Sequence, residues 1–347
     1  MKNGDFLVVS VYSLNDLDKI NENTKYINID ISNPNHEIID YFIENGENYK
    51  YTDIIDNITG YNYVAYDIFV KAENIIDMIY ANMPNDLSEL EMAKYLYVAI
   101  AKCVSYDINA DTMKNELYDL SLITEMNNLW GSLAIGKVND ISASKLYYYL
   151  CRRLGIKIDI FINEEKKSSL TKLSINNQVL VTDLYEDIPF IKAKMQTKYF
   201  ATYNDSDDID KKIKYIKNKY NDYYLDKELK NIDYMNDECV LSILDKTEKI
   251  LDIDNIKPYE LGIIYKYIFN KYCPNYDIKI NNLFLNSELK KHFIIVSYNY
   301  KHYSYNYKIH KFVLVNNDDI LNNINIGKIG LYQDEVIPNI ELMNLKR

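Results

Sequence analysis

The stretch that most constrains the fold of this chain is residues 136–187, GKVNDISASKLYYYLCRRLGIKIDIFINEEKKSSLTKLSINNQVLVTDLYED. Helix, turn and strand signals follow one another in it without conflict. Asn139 or Asp140 offers a side-chain oxygen to cap a helix start. Ala143, Leu146, Tyr147, Leu150, Cys151 and Leu154 then recur at helical spacing. Arg152 and Arg153 sit in the last turn, where cations suit the helix dipole, and Gly155 ends the helix. Ile156, Ile158 and Ile160 alternate with Lys157 and Asp159, the pattern of a strand with one buried face. After a polar turn over 164–169, residues 170–175 and 178–183 read as two strands. Asn176 and Asn177 join them, a residue type that tolerates positive φ in a tight hairpin. The spacing therefore predicts a helix followed by three antiparallel strands.

Upstream, Ser88 and Glu91 form a capping box, and Leu90, Ala93, Tyr97, Ile100, Ala101 and Val104 make one apolar face of a helix over 88–106. Cys103 lies beside that face. It reads as a small buried hydrophobe, the usual fate of an unreactive cysteine, with an active site built on Cys103, Tyr106 and Asp107 as the alternative. The sole Trp130 reads as a core anchor, or as the lining of a groove. Before this helix, strands are expected over 6–14, 26–31 and 61–70. Helices are expected over 36–45 and over 73–83, the second ended by Pro84.

These residues carry a resemblance. A capped helix ending in Leu154-Gly155-Ile156, a strand, and a hairpin whose second strand ends in Asp183 resemble the core of the transglutaminase-like superfamily, a papain-like fold. The segment YLYVAIAKCVSYD, 95–107, is similar to that family's helix ending in Tyr-Asp, and 183–200 is similar to an Asp-Leu stretch that follows the core in bacterial members. The resemblance implies a Cys-His-Asp triad, with the thiol at the helix start and the other two residues on adjacent strands. The thiol position falls on Asp140, or on Asn139 or Val138 with a slip of one or two residues. The imidazole position falls on Ser168 or Ser169. Asp183 alone matches its triad position. An aspartate at a helix start is stabilised by the dipole that would lower a thiol pKa, but it is a poor nucleophile toward amides. A serine has no pKa near neutrality with which to shuttle a proton. The resemblance thus implies a degenerate site at Asn139, Asp140, Ser168 and Asp183, in a protein that binds protein or peptide as a scaffold or regulator. An active cysteine protease or acyltransferase using Cys103 or Cys151 is the alternative, and an unrelated interaction module is a second.

Beyond the core, the acidic segment 202–210 marks a boundary, and 211–220 reads as a lysine-rich solvated helix. Helices are expected over 239–251 and 258–272, with Pro258 in a first turn, followed by a pair of strands over 293–315 around Lys301-His302. Residues 298–311 interleave tyrosines with Lys and His, either as a stacking platform for single strands or as a tyrosine-faced hairpin. A net charge of −11 favours the hairpin and leaves nucleic acid and anionic membranes unexpected as partners. Of the four histidines, His302 and His310 are spaced like candidate ligands, but no HExxH motif accompanies them. Four cysteines without a CxxC pair point away from zinc and disulfides and toward a reducing compartment. No metal and no cofactor is expected, since glycine-rich phosphate loops are also missing. No leader or membrane span is expected, so a cytoplasmic location is. The 35 tyrosines accompany abundant Asn, Ile and Lys, a codon bias of AT-rich genomes rather than a functional signal. The expected fold class is α+β. A transglutaminase-like core over 85–204 is flanked by an N-terminal α/β region, 1–84, and a C-terminal helix-and-hairpin region, 205–347.

Overall fold

The computed structural model describes residues 7–56, 58, 62–106, 126–163, 168–200, 221–230, 232, 238–251, 256, 258–285, 292–299, 301–306, 311–315 and 329–331. The chain is α+β and divides into two compact units, one of residues 1–188 with 197–214 and one of 189–196 with 215–347. The expected acidic break over 202–210, the helix over 211–220, and His310 lie outside the described residues. Among the described residues, no helix is long and apolar enough to cross a membrane.

The first unit opens with β1 (Leu7–Val11) and β2 (Thr24–Ile29), joined by a 3-10 turn at Leu14–Lys19. Helix α1 (His36–Glu44) follows, then β3 (Asp53–Asp56) and β4 (Tyr63–Ala65). The sheet runs β1-β2-β3-β4, parallel except for its last pair. Asn35 caps α1 by accepting Glu37 N–H at 2.9 Å.

The strand expected over 61–70 is shorter than its composition suggests. Among the described residues of that span, only 63–65 are extended, and α2 (Tyr66–Ala81) begins at once. Tyr66, Phe69, Ala72, Glu73, Ile76 and Ile79 form its buried stripe. The β-branched and aromatic residues at its start follow tertiary packing over local propensity: Phe69 lies edge-on to Trp130, ring centroids 5.2 Å apart. That contact brings in α4 (Leu129–Ile135), a helix unforeseen in the sequence. Trp130 is fully buried at its start, the anchor reading of that residue. Asn128 caps α4, and Gly136 ends it at φ +74°, a conformation that favours glycine.

Helix α3 (Glu89–Cys103) has the expected capping box between Ser88 and Glu91. It stops three residues before Tyr106, which pairs with Val138 in a short parallel ladder of β5 (Ser105–Tyr106) and β6 (Lys137–Val138). Because the helix ends at Cys103, that residue is exposed, contrary to the buried-hydrophobe expectation.

The predicted helix and three strands form. Helix α5 (Asp140–Arg153) has its cap at Asn139. It leads through Gly155, also at φ +74°, to β7 (Ile158–Asn163), β8 (Ser168–Ile175) and β9 (Gln178–Thr182). The sheet is antiparallel in the order β7-β8-β9. Asn176 and Asn177 both have positive φ, as a two-residue hairpin turn of this twist requires. Helix α6 (Leu184–Lys192) starts directly after β9.

The second unit packs α7 (Asn221–Leu229), α8 (Cys239–Ile250) and α9 (Pro258–Tyr272) around a core of Val240, Ile243, Leu244, Ile264 and Ile268. Its antiparallel sheet is richer than the expected strand pair. The order is β13 (Lys311–Val315), β12 (Lys301–Asn306), β11 (His292–Tyr298), β10 (Lys279–Leu285), β14 (Ile329–Leu331). Strands β11 and β12 pair as a hairpin, and His302 Nδ1 lies 2.7 Å from Ser297 Oγ across it.

Candidate functional site

The start of α5 and the floor of the β7-β8-β9 sheet meet at Asp140. Asn139 caps the helix: its Oδ1 accepts Ser142 N–H at 2.8 Å, and Ser142 Oγ accepts Asn139 N–H at 3.0 Å. With the cap made by Asn139, the Asp140 carboxylate is left to bind something else. It accepts two hydrogen bonds from Ser169, one from the backbone N–H and one from Oγ, both 2.7 Å. Ser169 Oγ also lies 2.8 Å from Ser144 Oγ, one helical turn past Asp140 on the same face.

Of the two candidate serines, Ser169 is therefore the one that joins Asp140. Ser168 pairs with Asn163 at the strand's end, with its side chain on the opposite face. The period-2 pattern explains the choice: Ser169, Thr171, Leu173 and Ile175 are buried while Ser168, Leu170, Lys172 and Ser174 are not. Sequence alternation carried that signal, since Ser169 shares parity with Leu173 and Ile175.

Asp183 follows β9 and caps α6, its Oδ1 accepting Glu186 N–H at 3.1 Å. It is 6% exposed. Burial pushes its carboxyl up to about 7, the Glu186 N–H pulls against that, and the negative charges of Asp140, Glu186 and Asp187 add to the rise. The charge of Asp140 is thus felt at Asp183. Burial also raises Asp140, against the stabilising bonds from Ser169. Below them, Thr171 and Thr182 hydroxyls pair across the strands at 2.5 Å. Four residues past Asp183, on α6, the fully buried Asp187 accepts Tyr97 O–H at 2.8 Å and the N–H groups of Lys198 and Tyr199 at 2.7 and 3.2 Å. Asp187 and Tyr97 were not anticipated as a pair. Their roles are to tie α3 and the following loop to α6.

The structure separates the two thiols proposed as alternatives. Cys151 is fully buried in α5 beside Tyr147, and burial pushes its thiol far above the ordinary range, which makes thiolate chemistry there unfavourable. Cys103 is exposed at the end of α3. Among the described side chains, the His36 imidazole meets Arg153 and that of His302 meets Ser297. Among the described residues, no group of three or more His, Cys, Asp or Glu has the arrangement of a metal site.

What this arrangement can do chemically is limited. Asp140 is an acceptor held by two donors, Ser169 is a donor already engaged, and burial raises the Asp183 carboxyl toward neutrality. The grouping offers hydrogen bonds and a proton, and no soft nucleophile. No protein-family model matches this chain, and no curated protein matches it.

Proposed function

We propose that this chain is a transglutaminase-like, papain-like domain protein that has lost thiol catalysis and binds a protein or peptide as a scaffold or regulator. The observation that supports this reading is the hydrogen-bonded grouping of Asp140 and Ser169, with Asp183 close enough for its carboxyl to feel the charge of Asp140. By the resemblance, those are the positions of the thiol, the imidazole and the carboxylate. Replacement of Cys by an acid and His by a hydroxyl removes both nucleophile and base, and losing two triad members removes the mechanism. The outer face of the β7-β8-β9 sheet supports the binding half of the reading. Phe161, Leu170, Val179 and Val181 are exposed there, around a Lys172 that pairs with Asp159 at 3.4 Å. Clustered exposed apolar side chains with a polar rim are the surface of a protein that meets other proteins.

The decisive experiment is affinity capture with the intact chain, compared with a Phe161→Asp, Val181→Lys variant. A specific partner retained by the first and lost by the second is the expected result. The competing reading, an active cysteine enzyme, has one observation in its favour, the exposure of Cys103. It predicts peptide hydrolysis or transamidation by the intact chain that disappears in Cys103→Ala. That result would end the pseudoenzyme reading. Iodoacetamide labelling gives a separate check: Cys103 is expected to react, and Cys151 only on unfolding.

A further inference from the structure

We propose that His36 is a proton-sensitive latch that holds the start of α1 against the end of α5 only while its imidazole is neutral. The geometry leaves one protonation state. His36 Nε2 lies 3.2 Å from the Arg153 carbonyl oxygen, which can only accept, so Nε2 carries the hydrogen. His36 Nδ1 lies 3.1 Å from Arg153 Nη2, which can only donate, so Nδ1 must be bare. One residue, Arg153, thus reads both ring nitrogens. A second proton would put N–H against N–H and a cation against a guanidinium.

The surroundings do not relieve that conflict. From α2, Glu73 takes Arg153 Nη1 at 2.5 Å and Asp77 stands 3.9 Å from Nη2, so both acids are directed at the arginine. Tyr80 and Tyr149 face the guanidinium with their rings. From α5, Arg152 Nε donates to the Ser32 carbonyl at 2.8 Å and adds a second positive charge nearby. Asp30 is occupied by Ser32, and Glu37, Asp40 and Glu44 are the acids on α1 itself. Arg153 is 9% exposed, and its Nε has no hydrogen-bond partner among the described residues. Losing the His36 acceptor would leave a second N–H of this buried guanidinium short of a partner. His36 is itself exposed, so it equilibrates with bulk protons without any opening of the core.

Imidazole is the side chain whose charge ordinarily changes between about pH 5 and 8. The latch is closed while the ring is neutral and opens when the ring gains its second proton. Opening frees the segment 32–45 from α5, the helix whose other end carries Asp140.

The test uses the full chain. Nitrogen-detected NMR of the histidine rings at about pH 8, assigned by the signal missing in His36→Gln, should show a protonated Nε2 and a bare Nδ1. A protonated Nδ1 overturns the proposal. Hydrogen exchange of peptides from 32–45 and 150–156, corrected for intrinsic rates, should show about three- to tenfold less protection at pH 5 than at pH 8. Glutamine has an acceptor and a donor but no proton to gain, so His36→Gln should remove that acid-induced loss. It should do so even if the variant is looser at both pH values. An acid-induced loss of the same size in His36→Gln would overturn the latch.

Discussion

The two ends of α5 treat buried charge in opposite ways. At its C-terminal end, Glu73 is completely buried, yet it accepts Trp130 Nε1–H at 2.6 Å, Tyr149 O–H at 2.8 Å and Arg153 Nη1–H at 2.5 Å. Burial pushes this carboxyl up, and Arg153 with the other donors pulls it back. In the middle of the helix, Lys145 is likewise fully buried and donates to Asp56 at 2.7 Å and to the Asn127 carbonyl at 3.1 Å. At the N-terminal end, Asp140 and Asp183 stand among acids. The first arrangement secures the fold, because each charge is matched by an opposite one. At the second, burial and the neighbouring acids raise the Asp183 carboxyl toward neutrality.

The comparison breaks most visibly if the matched end is opened. Glu73→Ala leaves the Arg153 guanidinium buried without its partner and should cost about 3–5 kcal/mol in chemical unfolding. A loss under about 1 kcal/mol would mean that water reaches Arg153 and that the two ends are alike.

Asp183→Asn should do the reverse. The folded-state value of about 7 lies above the ordinary carboxylate value. The folded state therefore binds more protons, and stability from this group is greatest below about pH 4, falls through neutrality, and is fully lost above the folded value. Asparagine keeps the α6 cap and cannot ionise. The variant should be more stable than the parent by about 2–4 kcal/mol at pH 8 and equal to it at pH 4. Thermal melts at the two pH values separate this from a pH-independent effect, which would show that Asp183 is an ordinary surface acid.

Ser169→Ala removes the hydroxyl bond to Asp140 but keeps the backbone N–H. A cost of about 1–2 kcal/mol is expected, together with a rise in the Asp140 titration followed by carboxyl NMR. An unmoved Asp140 would show that the backbone bond alone holds it.

The smallest effect belongs to the cap. Asn139→Ala should cost about 1 kcal/mol, and Asn139→Ser or Asp much less. If Asn139→Ala instead abolishes partner capture at unchanged stability, Asn139 belongs to the binding surface as well as to the helix.

Local pattern was enough for the α5-to-β9 unit. Cap, apolar spacing, terminal arginines, Gly155, alternation and the paired asparagines each act over a few residues, and each is satisfied within the unit. The same alternation points Ser169 inward. Other elements were hidden because their reason lies far away in the chain. Helix α2 starts among strand-favouring residues because Phe69 packs on Trp130, and α4 forms around that tryptophan and its bond to Glu73. Cys103 looked buried because its helix was expected to run on to Tyr106, whereas the chain turns there to pair with β6.

By itself, then, the sequence determined that a capped helix would lead into three strands, and that the start of that helix would bear an acid. Only the tertiary structure decided that Ser169 reaches Asp140, that Asp183 stands within reach of its charge, and that Arg153 reads both nitrogens of His36. Periodicity and capping are short-range and written in neighbouring residues. Burial and the electrostatics that follow from it arise only when distant segments pack and exclude water.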